Sequence, residues 1–369
     1  MYKTIEELVT RVDERNSDGT VSELIGVSID KCFIKSVANT NGTDLSKYKI
    51  IRKNDFAVSL MQVSRDGKIP VARLEEYEEA IMSPAYPIFR VKDKNIILPD
   101  YLEMWFKRPE FDREAAFIAV GGVRGSMPWE EFAKMKLPVP SIEKQQKIVN
   151  AYKIVTDRIA LKQRINDNLL ATTQAIYKSW FVDFEPFDNV CPSDWGNGCV
   201  DDIAEFYDSM RKPLSSLERA DMERIYPYYG AVSIVDYVDD FIFDGEYLLL
   251  SEDGIYVVDE NGHPLLQHIT GKFWANNHAH ILKGKSGFNE DSLYLFLANT
   301  NMAPIVTGAA QPKINQANLK SFSITIPTSE VIENFNALIQ PFFDQRLSNE
   351  AEVKKLESLK DLFLSRLVN

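Results

Sequence analysis

The chain has 369 residues, a length that asks for more than one domain, and its 45% hydrophobic and 26% charged residues are the balance of a folded globular protein. A net charge of −12 argues against a sequence-blind polyanion binder, no run of 18 apolar residues offers a spanning helix, and a start carrying Glu6 and Glu7 without an apolar segment is no secretory leader. Three cysteines (Cys32, Cys191, Cys199) give no disulfide framework, which fits a reducing cytoplasm.

Residues 1–140 read as a mixed block. Short β-branched runs, among them Asp55-Phe-Ala-Val-Ser59, alternate with Gly, Asn and Asp turns, and one amphipathic helix is predicted around Tyr101–Phe106. Gly121 opens a polar loop that runs to Lys136-Leu-Pro-Val-Pro140. Residues 141–182 then take up helical periodicity. Ile148, Tyr152, Val155, Ile159, Leu169, Ile176 and Trp180 recur at steps of three and four, with Lys162, Asn166 and Thr173 at the intervening seam positions. That is a coiled-coil spacing. Pro140 marks the entrance and Ser141 is the expected N-cap.

Residues 183–327 repeat the mixed block and residues 328–369 repeat the helix. Thr4-Ile-Glu-Glu-Leu resembles Cys199-Val-Asp-Asp-Ile, Asp55–Ser59 resembles Glu246–Ser251, and Ala85-Tyr-Pro-Ile-Phe resembles Ala279-His-Ile-Leu. Leu98–Phe106 resembles Phe288–Phe296, with a second amphipathic helix predicted at Leu293–Leu297. From Gly121 onward the copies align without a gap at an offset of 187, Gly121 on Gly308 and Ser141 on Thr328. In the second helix Phe335, Ile339, Phe342, Val353, Leu356, Phe363 and Leu367 take the matching seam, interrupted by Arg346, Asn349 and Lys360, and Pro341 predicts a kink or a later start.

A helix of this length is about 60 Å long, more than a domain of ~140 residues is wide. Part of each helix therefore needs a partner outside its own domain, and the other copy is at hand. The plainer alternative is an amphipathic hairpin folded back on one domain. With the helices paired, connectivity makes them antiparallel. The expected fold is α+β: mixed α/β domains at 1–140 and 183–327 joined by helices at 141–182 and 328–369, an elongated dumbbell with a pseudo-two-fold axis. Charge is spread unevenly over these blocks, −1, +4, −13 and −2 in the order 1–140, 141–182, 183–327 and 328–369.

Catalytic motifs are missing. Gly284-Lys285-Ser286 lacks the earlier glycine of a phosphate loop, Ser83-Pro-Ala-Tyr86 lacks the second proline of an amino-methyltransferase motif, and neither G-x-G after a strand nor G-x-S-x-G occurs. The four histidines are His263, His268, His278 and His280. Spacing of two puts His278 and His280 on one face of a strand. A zinc site needs further ligands, and His263, His268 and Cys199 stand at no recognisable spacing, so a hydrogen-bonded face or a ligand contact is expected instead of a metal.

Four strings carry a resemblance: Ile225-Tyr-Pro-Tyr-Tyr-Gly-Ala231, Tyr237–Gly254, Ala275-Asn-Asn-His-Ala-His-Ile-Leu282 and Gln311-Pro-Lys-Ile-Asn-Gln-Ala-Asn-Leu-Lys320. With the repeat and the helix pair, they resemble the specificity subunit of type I restriction-modification systems over the whole chain. The first half is looser, with Gly121-Gly-Val-Arg-Gly-Ser-Met-Pro-Trp129 in place of the Gln-Pro-Lys-Ile-Asn loop. The resemblance implies a non-catalytic, cytoplasmic subunit without a cofactor of its own. Two target-recognition domains would read a bipartite double-stranded DNA site. Two methyltransferase subunits, which bind S-adenosylmethionine themselves, would dock on the helices, and restriction subunits would join that complex.

The DNA contacts this implies are Arg65, Lys68, Arg73 and Arg124 in the first domain and Lys212, Tyr228, Tyr229, Asn277, His278, Gln311, Lys313 and Asn315 in the second. Arg and Lys suit guanine edges or phosphates, Asn and Gln suit adenine, and each can equally be a solvated charge or a turn former. Lys153, Arg158 and Lys162 are the expected partner-facing positions on the first long helix. The acidity of 183–327 counts against a basic groove reader. It favours a rival reading, a two-domain protein-interaction scaffold that binds no DNA.

Overall fold

Each half begins on a capped turn. Thr4 precedes a helical turn at Ile5–Leu8 and donates its amide to the Glu7 carboxylate at 2.7 Å; Cys199 precedes Val200–Ile203 and donates its amide to Asp202 at 2.8 Å. Apolar Ile5 and Leu8, and Val200 and Ile203, point into their cores. The computed structural model describes residues 1–36, 43–61, 63–121, 125–254, 257–308 and 310–368. They pack as two units, 1–162 with 351–369, and 163–350.

The two units share a sheet topology. In the first, antiparallel strands run in the order Val9–Val12, Ile88–Val91, Phe56–Val58, Val71–Arg73. In the second the order is Ala204–Phe206, Ala279–Gly284, Phe243–Ser251, Leu266–Ala275, extended by Tyr226–Tyr229 and Ile234–Val238. The helices predicted from amphipathic patterning are Pro99–Phe106 and Glu290–Ala298. Pro99 at the first turn of one and the Asn289 cap of the other fix where they start. Behind them, Phe56, Phe89, Phe106 and Phe132 fill the first core and Leu248, Leu282, Leu293 and Phe335 the second. Each such side chain contributes about 1.5–3 kcal/mol by burial.

The polar loops expected after Gly121 and Gly308 end on matching fastenings. The Met127 amide donates to the Leu60 carbonyl at 2.8 Å, and the Ile314 amide donates to the Glu252 carbonyl at 2.9 Å. Short helices follow at Trp129–Lys134 and Gln316–Lys320, then strands at Lys136–Pro138 and Ser323–Ile326. The offset of 187 thus carries element onto element, and the long helices start at Ile142 and Ser329, 187 apart.

Those helices are Ile142–Phe181 and Ser329–Ser365. The second runs through Pro341 without the later start that proline suggested: the missing N–H leaves one unpaired carbonyl, while buried Ile339 and Phe343 on either side hold the turn. Gln145, fully buried, ties the start of the first helix down, accepting from the Leu98 amide and donating to the Ile96 and Pro140 carbonyls, each at 2.9 Å. Val155 and Ile159 are buried as the seam predicts. Phe335, Ile339 and Leu367 are buried as the seam predicts too, whereas Val149, Tyr177, Phe343 and Leu364 are buried in place of their neighbours Ile148, Ile176, Phe342 and Phe363, because there the helices face domain cores and not each other.

Within each unit the paired helix segments run antiparallel. In the first, Arg158 and Lys162 both pair with Glu352, while Tyr152 lines a cleft with Asp361 and Leu364. In the second, Asn166 accepts from the Asn349 amide at 2.8 Å and Trp180 lies against Phe335, ring centroids 5.6 Å apart. Asn349 is fully buried, and a polar pair of this kind fixes the register of a helix pair at some cost in stability.

Candidate nucleic-acid interface

In the first unit Arg65 and Lys68 lie in and just after the helical turn Val63–Asp66, both exposed. Gly125 lies against that turn: it has φ +73°, and a Cβ there would meet Ser64 Oγ at 2.5 Å. A side chain at residue 125 would be strained by that φ and would crowd the Ser64 hydroxyl and the Arg65 amide. Arg65 pairs with Asp66 at 2.8 Å. Arg124 lies outside the described residues.

Arg73 has a different place. Its side chain is 5% exposed and ringed by acids, Glu103 at 2.8 Å and Asp100 at 3.0 Å, with Glu75 and the Asn54 side chain completing its donors' partners. Burial opposes its charge, and those carboxylates outweigh the burial and raise its pKa. Local sequence showed a cation after a polar loop. It did not show acids brought in from a helix 27 to 30 residues away. Arg73 is therefore an internal ion-pair centre, with four of its five N–H donors committed inside the fold.

The second unit brings three of the four resemblance strings together. His278 Nδ1 sits 2.7 Å from Asp253, the His278 carbonyl accepts from the Glu252 amide at 2.9 Å, and Lys313 Nζ reaches Glu252 at 2.9 Å. Asn277, His278 and Gln311 are exposed and Lys313 is half exposed. Lys212 is exposed as well, its carbonyl accepting from the Trp274 indole at 2.6 Å. Tyr229 is partly buried, edge-on to Phe273.

Two expected contacts there are structural. Tyr228 is 2% exposed, its hydroxyl accepting from the Leu214 amide at 2.9 Å and its ring covered by Arg219, so it belongs to a small core with Val238 and Trp274. Asn315 caps helix Gln316–Lys320, accepting from the Asn318 amide at 2.8 Å. The two histidines also part company. His278 precedes the strand and is exposed, while His280 lies inside Ala279–Gly284 and is fully buried.

Beneath the exposed face runs a chain of buried charges. Arg211 donates to Glu252 at 2.6 Å and lies 3.4 Å from Asp208; Asp208 takes His280 Nδ1 at 2.6 Å, the Gln316 amide at 2.8 Å and the Ile281 amide at 2.9 Å. Burial pushes the Asp208 carboxyl up, and His280, the Ile281 amide and Arg211 together bring it below its ordinary range. Glu252 follows the same course, with burial overcome by Arg211 and Lys313. No sequence pattern singled out Asp208, Arg211 or Glu252 beforehand, although Glu252 lies inside a resemblance string.

Among the described residues two clusters have metal-ligating side chains. In Asp208, Glu252 and His280 the Arg211 guanidinium already occupies the place between the carboxylates. In Glu246, His268 and Asp291 the imidazole turns Nε2 to Glu246 at 2.7 Å and Nδ1 toward Asp291 at 3.6 Å, so the ring lies between the two acids. Among the described residues no helix is long and apolar enough to cross a membrane.

On the long helices Lys153 is exposed, whereas Arg158 and Lys162 are joined to Glu352 of the facing helix. The residues the charge pattern overlooked are apolar: Ile154 is 69% and Leu161 51% exposed, one face of the helix two turns apart. Reading the seam alone hides them, because a second apolar stripe looks like noise around the first.

The family model described as type I restriction modification DNA specificity domain matches residues 25–171 and again 192–360, so one model fits each half of the duplication. The chain belongs to that family. As a member of the type I specificity family it is similar to a candidate type I restriction enzyme specificity subunit of Haemophilus influenzae, 36% identical over 143 residues, 38% of this chain and 36% of that one. It is also similar to the MjaIX specificity subunit of Methanocaldococcus jannaschii, 23% identical over 300 residues, 74% of this chain and 69% of that one. The chain therefore spans about a third of the first relative and about two thirds of the second. The type I S subunit of M. genitalium matches in fold with a TM-score of 0.56 at 13% identity, over 100% of this chain and 96% of that one.

Proposed function

We propose that this specificity-family chain reads a split double-stranded DNA site, one half with each unit, and docks two methyltransferase subunits on its long helices, with restriction subunits joining through that complex. The observation that carries the reading is the twin fastening of Met127 to Leu60 and Ile314 to Glu252, which holds a polar loop at the same strand end in both units. A protein with two equivalent loop faces suits a target with two separated halves. Arg65, Lys68 and Arg124 read or anchor one half; Lys212, Tyr229, Asn277, His278, Gln311 and Lys313 the other. Arg73 and Tyr228 are left out because their side chains are buried and bonded inside the fold, and Asn315 because its side-chain oxygen caps a helix. The acidity of 183–327 is partly internal, since Asp208, Glu252 and Asp291 are buried, and the methyltransferase supplies most phosphate contacts.

Sequencing methylated bases in a strain with and without this gene tests the reading. The expected result is one split motif that vanishes with the gene; loss of no motif would overturn it. The same acidity favours the scaffold reading, and gel shifts separate the two. Binding to a split target by the chain with its methyltransferase supports DNA reading, and assembly without DNA affinity supports the scaffold.

A further inference from the structure

We propose that His280 is the positioning residue for the second recognition loop, holding residues 313–316 in their reading geometry through Asp208 on one side and the Ile314 carbonyl on the other. The proposal rests on the DNA-reading function given above. It concerns a residue no reader touches: His280 is fully buried, and its ring lies behind the exposed face.

Hydrogen-bond valence sets the state of the ring. His280 Nδ1 faces an Asp208 carboxylate oxygen at 2.6 Å and Nε2 faces the Ile314 carbonyl oxygen at 2.8 Å. Both partners accept, so the ring donates from both nitrogens, and each bond has one direction. Asp208 is itself fixed by the Ile281 amide on the neighbouring strand residue and by Gln316, the residue that opens the helix after the loop. One imidazole thus joins strand Ala279–Gly284 to Ile314 directly, and to Gln316 through Asp208. Ile314 is fully buried with the ring, and a carbonyl left unpaired at that depth is costly.

Between those two fixed points stand Lys313 and Asn315. Lys313 is further set by paired main-chain bonds with Thr307, 2.8 Å in each direction, and by Glu252. Glu252 in turn is held by Arg211, which lies against Asp208. The exposed Lys313 ammonium is therefore the outer end of a chain whose inner end is His280. A displacement of the ring moves Ile314 and, with it, the groups on either side. The first unit has the main-chain fastening of Met127 to Leu60, and none of the chain's four histidines. It serves as an internal control.

The experiment uses the full chain co-purified with its methyltransferase, S-adenosylmethionine and a DNA library varied in both half-sites, with amide hydrogen exchange read on peptides covering 307–316. His280→Gln cannot donate in two opposite directions. It should speed exchange at 313–316 at least about ten-fold and lower discrimination in the second half-site by about ten- to a hundred-fold, leaving the first unchanged. Asp208→Ala should do the same without altering the ring. Asp208→Asn should stay near the parent on both readouts, because its Oδ1 still accepts from the Ile281 amide, its NH2 donates to Nδ1 and to a Gln316 amide turned over to accept, and a neutral ring still donates from Nε2 to Ile314; a role in packing alone would not separate Asn from Ala. If His280→Gln fails to fold, the Asp208 pair decides. Parent-like exchange or parent-like second-half discrimination in both His280→Gln and Asp208→Ala overturns the proposal, as does an Asn variant as loose as the Ala variant. A parent complex that methylates no split site brings down the DNA-reading function instead, whatever the exchange rates show.

Discussion

Asp291 stands at the start of helix Glu290–Ala298 with 3% exposure and an Oδ1 that lacks a hydrogen-bond partner. Burial raises its pKa to about 7, partly offset by His268 and reinforced by Glu246, Asp344 and Glu290. Between about pH 4 and 7 the unfolded chain has lost this proton and the folded chain keeps it, so stability falls as pH rises through that window and is level above it. Asp291→Asn has no proton to lose. It should stabilise the chain at pH 8 by up to roughly 4 kcal/mol and by little at pH 4, as read by urea unfolding at both pH values. Arg73 and Tyr228 make the complementary point about legibility. Their residue types fit a DNA contact, yet one is ringed by carboxylates and the other has its hydroxyl on the Leu214 amide. Both partners come from elsewhere in the chain, and local sequence does not encode which surfaces meet.

The long helices were the most legible elements, because an apolar repeat at steps of three and four, sustained over some ten turns, fits a long helix and little else. Their central seam follows from the apolar steps, and the start of the first from Pro140. Their function does not, since the cations that looked partner-facing are half committed: Arg158 and Lys162 both grip Glu352. Glu352→Lys should therefore loosen the helix pair and weaken methyltransferase association, and adding Arg158→Glu with Lys162→Glu should restore much of both in thermal melts and pull-downs. Failure of that triple change to rescue would place the charges at the partner surface after all. Ile154 and Leu161 face outward with nothing apolar to gain from the solvent. Changing both to Asp should reduce association at least about ten-fold, the loss expected from two buried apolar contacts, while the melting temperature of the free chain stays within a degree or two.

For the molecule as a whole, the duplication predicts separable halves. Arg65→Ala and Lys313→Ala should each relax one half of the methylated motif, by about 1–3 kcal/mol at the affected base pair, and leave the other half intact. Adding four residues to both long helices, about one turn or 6 Å each, should change the number of unread bases and no read base. Sequencing of methylated DNA reports both, and a loop change that rewrote both halves would refute the modular account. The fold class and the repeat were open to reading because they are written in order and period, while the buried Asp208–His280 chain was not, because it joins residues 72 apart through their side chains. The twin fastening has one more consequence. Met127 and Ile314 are tied down by main-chain amides, which every residue but proline possesses. A lineage can then rewrite the letters of either loop by drift or by swapping segments while the knot that holds it stays tied. If the two loops read DNA as proposed, a change of target need not disturb the fastening that holds each of them.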